Sequence, residues 1–223
     1  MEKVLIYKIL SIKDINDDIT KKYLSMLSDV RKNKLLEMKD KLRAAQLFAG
    51  EILARQCLSE LCDAPEFAFN LLINPDSKSV VSNFSANISL SVAGEYVACA
   101  ASYDFVGINI SEPAPFSFSQ AQKMLSDAEI RYLYSLSKDS FVNNISKESC
   151  DEDDVIKAFA QLVSLKYACY QASGRGIPSA VTKFTFDLSH NVVKCLDEDY
   201  SVLASLFLSD KGIACSVVER RKI

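Results

Sequence analysis

Val155-Ile156-Lys157-Ala158-Phe159-Ala160-Gln161-Leu162-Val163-Ser164-Leu165-Lys166-Tyr167-Ala168-Cys169-Tyr170-Gln171-Ala172-Ser173, closed by Gly174-Arg175-Gly176-Ile177-Pro178, is the stretch on which the fold turns. Val155, Ala158, Phe159, Leu162, Leu165, Cys169 and Ala172 recur every three or four residues, which predicts a helix over 153–173. Gly174 suits a left-handed C-cap and Pro178 a following stop. A second long helix is predicted over 41–62, where Leu47, Gly50, Ala54, Cys57, Leu58 and Leu61 keep helical spacing and Asp63-Ala64-Pro65 ends the run. After each helix comes a Phe-x-Phe strand, Phe67-Ala68-Phe69 within 66–72 and Phe184-Thr185-Phe186 within 183–188. A turn and further strands follow in both halves, at 86–91 and 96–102 and then at 192–196, 200–208 and 213–218. Each half closes on Ala-Cys, Ala98-Cys99 and Ala214-Cys215.

Outward from the two helices, 1–12 and 106–110 read as strands. Residues 19–36 read as a helix with Leu24, Leu27 and Val30 three apart. Residues 117–136 read as two short helices, the second begun by Ser126-Asp127-Ala128-Glu129, an N-cap followed by acidic first-turn residues. Residues 137–154 are polar and acidic and read as an exposed connector. The repeated order predicts an α+β fold built as two similar lobes, 1–104 and 105–223. Each lobe is expected to be a long helix packed on a small, mainly antiparallel sheet, with a ligand cleft at the seam.

Composition narrows the function classes. The chain has 223 residues, 49% hydrophobic and 25% charged, with a net charge of -3. That balance offers no basic face for a nucleic-acid partner. No apolar run approaches the ~20 residues that span a bilayer, and residues 1–13 lack a signal peptide's long apolar segment. A cytoplasmic protein with neither a nucleic-acid nor a membrane partner is expected. The seven cysteines are scattered without a Cys-x-x-Cys pair and His190 is the only histidine. This pattern argues against a zinc or disulfide framework and for small buried hydrophobes.

Four segments then carry a resemblance: Gly50-Glu51-Ile52-Leu53-Ala54-Arg55; Ala86-Asn87-Ile88-Ser89-Leu90-Ser91; Gly107-Ile108-Asn109-Ile110-Ser111; and Ser164-Leu165-Lys166-Tyr167-Ala168 with Ser173-Gly174-Arg175-Gly176-Ile177. In type, order and spacing they resemble the surfactin-type 4'-phosphopantetheinyl transferases. That family is pseudo-duplicated and moves the phosphopantetheine arm of coenzyme A onto a serine of an acyl or peptidyl carrier protein. Its coenzyme and Mg²⁺ bind between the lobes.

Residue by residue, the resemblance implies a coenzyme-facing set of Arg43, Gln46, Lys78, Ser89, Leu90, Lys166 and Arg175, with Arg43 or Arg55 on the first helix. Gln46 stands where the family often has arginine, and Leu90 where it has a phosphate-donating histidine. Lys78 stands near a family lysine. Lys166 and Tyr167 occupy the family's catalytic Lys-Glu positions, and Val163 its tryptophan. Asn109, Ser111 and Tyr167 occupy the positions of the three Mg²⁺-binding acids. Amide, hydroxyl and phenol supply dipoles, whereas a divalent ion beside a pyrophosphate needs anionic oxygen to compete with its hydration shell. A tyrosine ordinarily titrates near pH ~10 and makes a poor base. Mg²⁺ binding at these positions is therefore expected to be weak or absent, and transfer lost or reduced. Two further readings stand beside this one: catalysis by displaced acids such as Asp104 or Glu112, and a non-catalytic relative that binds a carrier protein or coenzyme A.

Overall fold

The computed structural model describes residues 5–72, 80–136, 153–174, 184–187, 194–195 and 199–220. Two three-stranded antiparallel sheets organise the chain. The first contains β1 (Leu5–Ser11), β4 (Asn87–Ala93) and β5 (Tyr96–Ser102), in the order β1-β5-β4. The second contains β6 (Phe105–Ser111), β9 (Tyr200–Leu208) and β10 (Ile213–Arg220), in the order β6-β10-β9. In both, the opening strand of the half pairs with its last strand, and the last with the one before it. Small ribbons, β2 (Leu71–Leu72) with β3 (Val80–Val81) and β7 (Phe186–Asp187) with β8 (Lys194–Cys195), occupy the same place in each half. The repeated order expected from the sequence is thus present as repeated topology, in an α+β fold of two helix-on-sheet lobes.

The layers follow from strand alternation. On β5, Val97, Cys99 and Ala101 turn towards α3 (Lys41–Cys62) and join Leu53, Ala54, Cys57 and Leu58 in one core. Ala98 and Ala100 turn the other way and meet Val106, Ile108 and Ile110 of β6 and Ile213, Cys215 and Val217 of β10. The second lobe's helix, α6 (Asp153–Ser173), packs on the far face of its own sheet through Leu162, Leu165, Cys169 and Ala172. The order is helix, sheet, sheet, helix, and the middle layer belongs to both lobes. Fully burying one of its larger members, such as Ile108, contributes roughly 1.5–3 kcal/mol. The two Ala-Cys pairs lie on equivalent strands but in opposite phase: Ala98 and Cys215 both face this middle layer.

Gly107 sets how closely α6 approaches. A Cβ there would lie 1.9 Å from the Ala168 carbonyl oxygen and 2.7 Å from the Ala172 nitrogen. The helix backbone rests directly on β6 at this point, so the glycine that opens the Gly-Ile-Asn motif has a packing reason of its own.

The peripheral helices depart from expectation in one place. The predicted helix over 19–36 is two helices, α1 (Asp17–Ser25) and α2 (Asp29–Glu37). Asn16 caps the first, and Ser28 caps the second by accepting from the Arg31 N–H at 3.4 Å. A serine that can satisfy an orphan helix donor starts a new helix despite the apolar spacing across it. The helices α4 (Phe118–Met124) and α5 (Asp127–Leu136) match the expected pair. The Ser126 N–H donates to Glu129 Oε2 at 2.7 Å, and the Glu129 N–H to Ser126 Oγ at 3.4 Å, a reciprocal capping box.

The Phe67-Ala68-Phe69 strand is a correction. Residues Glu66–Ala68 form a 3-10 turn, and pairing begins only at Leu71. The cause is Arg55 on α3, whose Nη1 donates to the carbonyls of Glu66 at 2.8 Å and Phe69 at 3.2 Å. Carbonyls held by a buried guanidinium are not available to a strand ladder. No helix among the described residues is long and apolar enough to cross a membrane.

Candidate functional site

The described residues of the matched segments lie on α3, β4, β6 and α6, and β4, β6 and α6 meet at the seam. β4 and β6 run side by side there, joined by side chains. The Ile108 N–H donates to Ser89 Oγ at 3.2 Å and to Gln171 Oε1 of α6 at 3.1 Å. The Ile110 N–H donates to Ser91 Oγ at 3.1 Å, and Ser89 Oγ donates to Gln171 Oε1 at 2.6 Å. Ser89 and Ser91 are both buried, so each hydroxyl satisfies an edge-strand donor that water reaches poorly. Asn87 completes the row by donating from Nδ2 to the carbonyls of Tyr103 and Asp104 at 3.3 and 3.0 Å. The Asn-x-Ser-x-Ser pattern is therefore the thread that sews the lobes together. Leu90, one residue out of phase, packs with the first lobe's core on the α3 side.

Asn109 and Ser111, two of the three positions where the sequence resemblance calls for acids, are tied into the same network. Asn109 Nδ2 donates to Ser91 Oγ at 3.2 Å, and Asn109 Oδ1 accepts from Ser111 Oγ at 3.1 Å. The Asn109 carbonyl accepts from Ser164 Oγ of α6 at 2.7 Å. Tyr167 sits three residues further along α6 and is 36% exposed. Asn109, Ser111, Ser91 and Ser164, all neutral, donate to and accept from one another. Among the described residues, no cluster of three or more His, Cys, Asp or Glu side chains is arranged to hold a metal ion. This donor set does not fit a hard divalent cation. Glu112 lies beside Ser111, and its Oε1 is 2.1 Å from where a Cβ on Gly94 would stand. It reaches across the seam to the turn between β4 and β5, where Gly94 has φ +53°.

Among the basic positions the structure separates two groups. Arg55 and Lys166 are enclosed in the two lobe cores, each facing a carboxylate. Arg55 donates from Nε and Nη2 to Glu51 Oε1 at 3.1 and 2.8 Å, and Arg31 of α2 reaches Glu51 Oε2 at 3.2 Å. Lys166 Nζ lies 3.0 Å from Glu129 Oε2, donates to the Phe184 carbonyl and sits 5.4 Å from the Phe186 ring centre. Lys166 and Glu129 are both 0% exposed. In each lobe, then, a cation on the long helix holds a buried carboxylate and a carbonyl of the following Phe-x-Phe segment. Arg43 stays half-buried at the start of α3, where its Nη1 donates to Gln46 Oε1 at 3.4 Å. Gln46 Nε2 in turn donates to the Gly94 carbonyl at 2.8 Å. Arg43, Gln46, Gly94 and Glu112 thus form a line across one end of the seam. Lys78 and Arg175 lie outside the described residues.

Next to Glu112 the seam opens into a groove of about 620 Å³, running from the end of β4 (Val92, Ala93) past β6 to α4 and α6. Phe116 stacks on Phe159 in its wall, with ring centres 3.9 Å apart. Val163 lines it. Sequence reasoning did not single out Ser164, Gln171 or this groove. The available signal was two hydroxyls alternating on an otherwise apolar strand and a glutamine near the end of α6's apolar stripe.

No protein-family model matches the chain. Among curated proteins, it is 22% identical over 184 residues to 4'-phosphopantetheinyl transferase Sfp of Bacillus subtilis (strain 168), covering 82% of this chain and 76% of that protein, a distant sequence relationship to a phosphopantetheinyl transferase.

Proposed function

We propose that this chain is a phosphopantetheinyl-transferase-like protein in which the seam serves for binding, of a carrier protein or of coenzyme A, while transfer is absent or far below that of an intact transferase. The observation that carries the reading is the Ser111–Asn109–Ser91 hydrogen-bond chain. It stands where the resemblance calls for metal-binding acids, and its neutral groups cannot offset the charge of a pyrophosphate. No carboxylate or imidazole occupies the matched positions to take a proton from a carrier serine. The enclosure of Lys166 and Arg55 points the same way, because both are held in structural ion pairs. The distant similarity to Sfp supports the superfamily-level part of the proposal.

The test has two arms. Transfer of labelled phosphopantetheine from coenzyme A to acyl and peptidyl carrier proteins is measured with Mg²⁺, and calorimetric titrations with coenzyme A and with carrier protein are run with and without Mg²⁺. Background-level transfer, together with binding of either partner that Mg²⁺ does not change, is the expected result. Robust Mg²⁺-dependent transfer would overturn the loss of catalysis and make Glu112 and Asp104 the first residues to substitute. Binding of neither partner would overturn the binding role.

A further inference from the structure

We propose that the groove beside the seam is a binding site for an acyl chain with an anionic head group, its tail in the groove and its carboxylate at Lys123. This inference is independent of the transferase reading and holds whether or not the seam binds coenzyme A.

The argument starts from lining chemistry. A site for a nucleotide or a pyrophosphate would present converging donors and cations. Here the lining is mainly apolar, with Phe116, Met124, Phe159 and Val163 in the walls and Val92 and Ile110 at the strand edges. Its four polar members are Ser111, Glu112, Gln120 and Lys123. Two of these are already engaged within the protein. Ser111 donates to Asn109, and Gln120 Oε1 accepts from the Ser117 N–H at 3.0 Å in the capping box of α4. Glu112 is turned to the Gly94 turn. Lys123, exposed in the last turn of α4, has no ion pair or hydrogen bond among the described residues. Among the described residues it is the single cation lining the groove.

Shape agrees with chemistry. A volume of about 620 Å³ falls within the ~300–1,000 Å³ range of small-molecule sites, which are mostly apolar with a few placed polar groups. The walls are fixed by elements that cannot easily collapse inward. β6 is pinned to β4 by Ser89 and Ser91 and to α6 by Ser164, and Phe116 is held on Phe159 by stacking. Valine at position 163 leaves open the space that a larger side chain would fill. An unbranched apolar tail gains from burial at each methylene, whereas a short polar anion would gain only a solvent-screened contact with Lys123.

The test uses the full chain and three probes below their aggregation limits: dodecanoate, dodecanol and acetate, titrated by calorimetry. Saturable one-to-one binding of dodecanoate is expected, with dodecanol about three- to five-fold weaker and acetate undetectable. Lys123→Gln should remove the difference between dodecanoate and dodecanol while leaving dodecanol unchanged. Val163→Trp should weaken both by at least about ten-fold. If Val163→Trp fails to fold, Ala114→Trp on the exposed wall of the same groove should give the same loss. Absence of saturable dodecanoate binding, or groove-filling variants that bind as tightly as the unmodified chain, would overturn the site. Acetate binding as well as dodecanoate would overturn the acyl assignment.

Discussion

Lys166 shows how one residue changes meaning between sequence and structure. In the sequence it stands in a helix at a position that resembles a catalytic lysine. In the structure its ammonium is enclosed with Glu129, and Glu129 Oε1 is buried without a hydrogen-bond partner among the described residues. Removing one member of such a pair leaves an uncompensated buried charge, so Lys166→Ala should destabilise the chain by about 3–5 kcal/mol in urea unfolding. The double change Lys166→Met with Glu129→Leu should cost much less. A Lys166→Ala protein of unchanged stability would show that the pair is not dehydrated in solution. The thiols make a second residue-scale case. Cys99 is pushed well above its ordinary range by its hydrogen bond with Cys57 and by burial, and burial pushes Cys215 up to about 11. Thiolate is the reactive form, so iodoacetamide at pH 8 should label Cys62, which is partly exposed, and spare Cys57, Cys99, Cys169 and Cys215 in the native protein. Peptide mass spectrometry reads this directly. Early labelling of Cys99 would count against the packing of α3 on β5.

At the scale of elements, the two long helices, the two short helices at 117–136 and the main strands were legible, because each keeps its period over seven or more residues and ends on a recognisable stop. What was not legible depended on partners distant in sequence. The apolar spacing of Leu24, Leu27 and Val30 concealed a break that Ser28 makes by capping. Phe67 and Phe69 looked like strand residues because nothing local shows Arg55, more than ten residues back on α3, taking the carbonyls of Glu66 and of Phe69 itself. Ser89 and Ser91 were legible as a motif but not as a seam, since their acceptor role needs β6 alongside. That role is open to test. Ser91→Ala leaves the Ile110 N–H and Asn109 Nδ2 without their acceptor and should cost about 1–3 kcal/mol. Ser82→Ala, an exposed hydroxyl that donates to the Asn70 carbonyl, should cost well under half as much. Equal costs would mean that water replaces Ser91 freely and that the seam is wet.

For the whole molecule, the middle layer decides how the lobes behave. Ala98 and Ala100 from one sheet and Ile108, Ile110, Ile213, Cys215 and Val217 from the other form a single core. Unfolding either lobe exposes the other's inner face. One cooperative transition in urea is therefore expected, with tyrosine fluorescence and far-ultraviolet circular dichroism coinciding. Two resolved transitions would show that the lobes are stable apart.

The join between β5 and β6 carries a last consequence. Only Tyr103 and Asp104 separate the strands, Asn87 grips both of their carbonyls, and the Asp104 N–H donates to Ser102 Oγ at 3.1 Å. So short a tether gives each lobe a very high effective concentration of the other. Cutting the chain between these two residues would turn an intramolecular contact into a bimolecular one while removing almost none of the surface that holds it. The severed halves should find each other and rebuild the seam, in proportion to their concentration rather than as a fixed property of the fold.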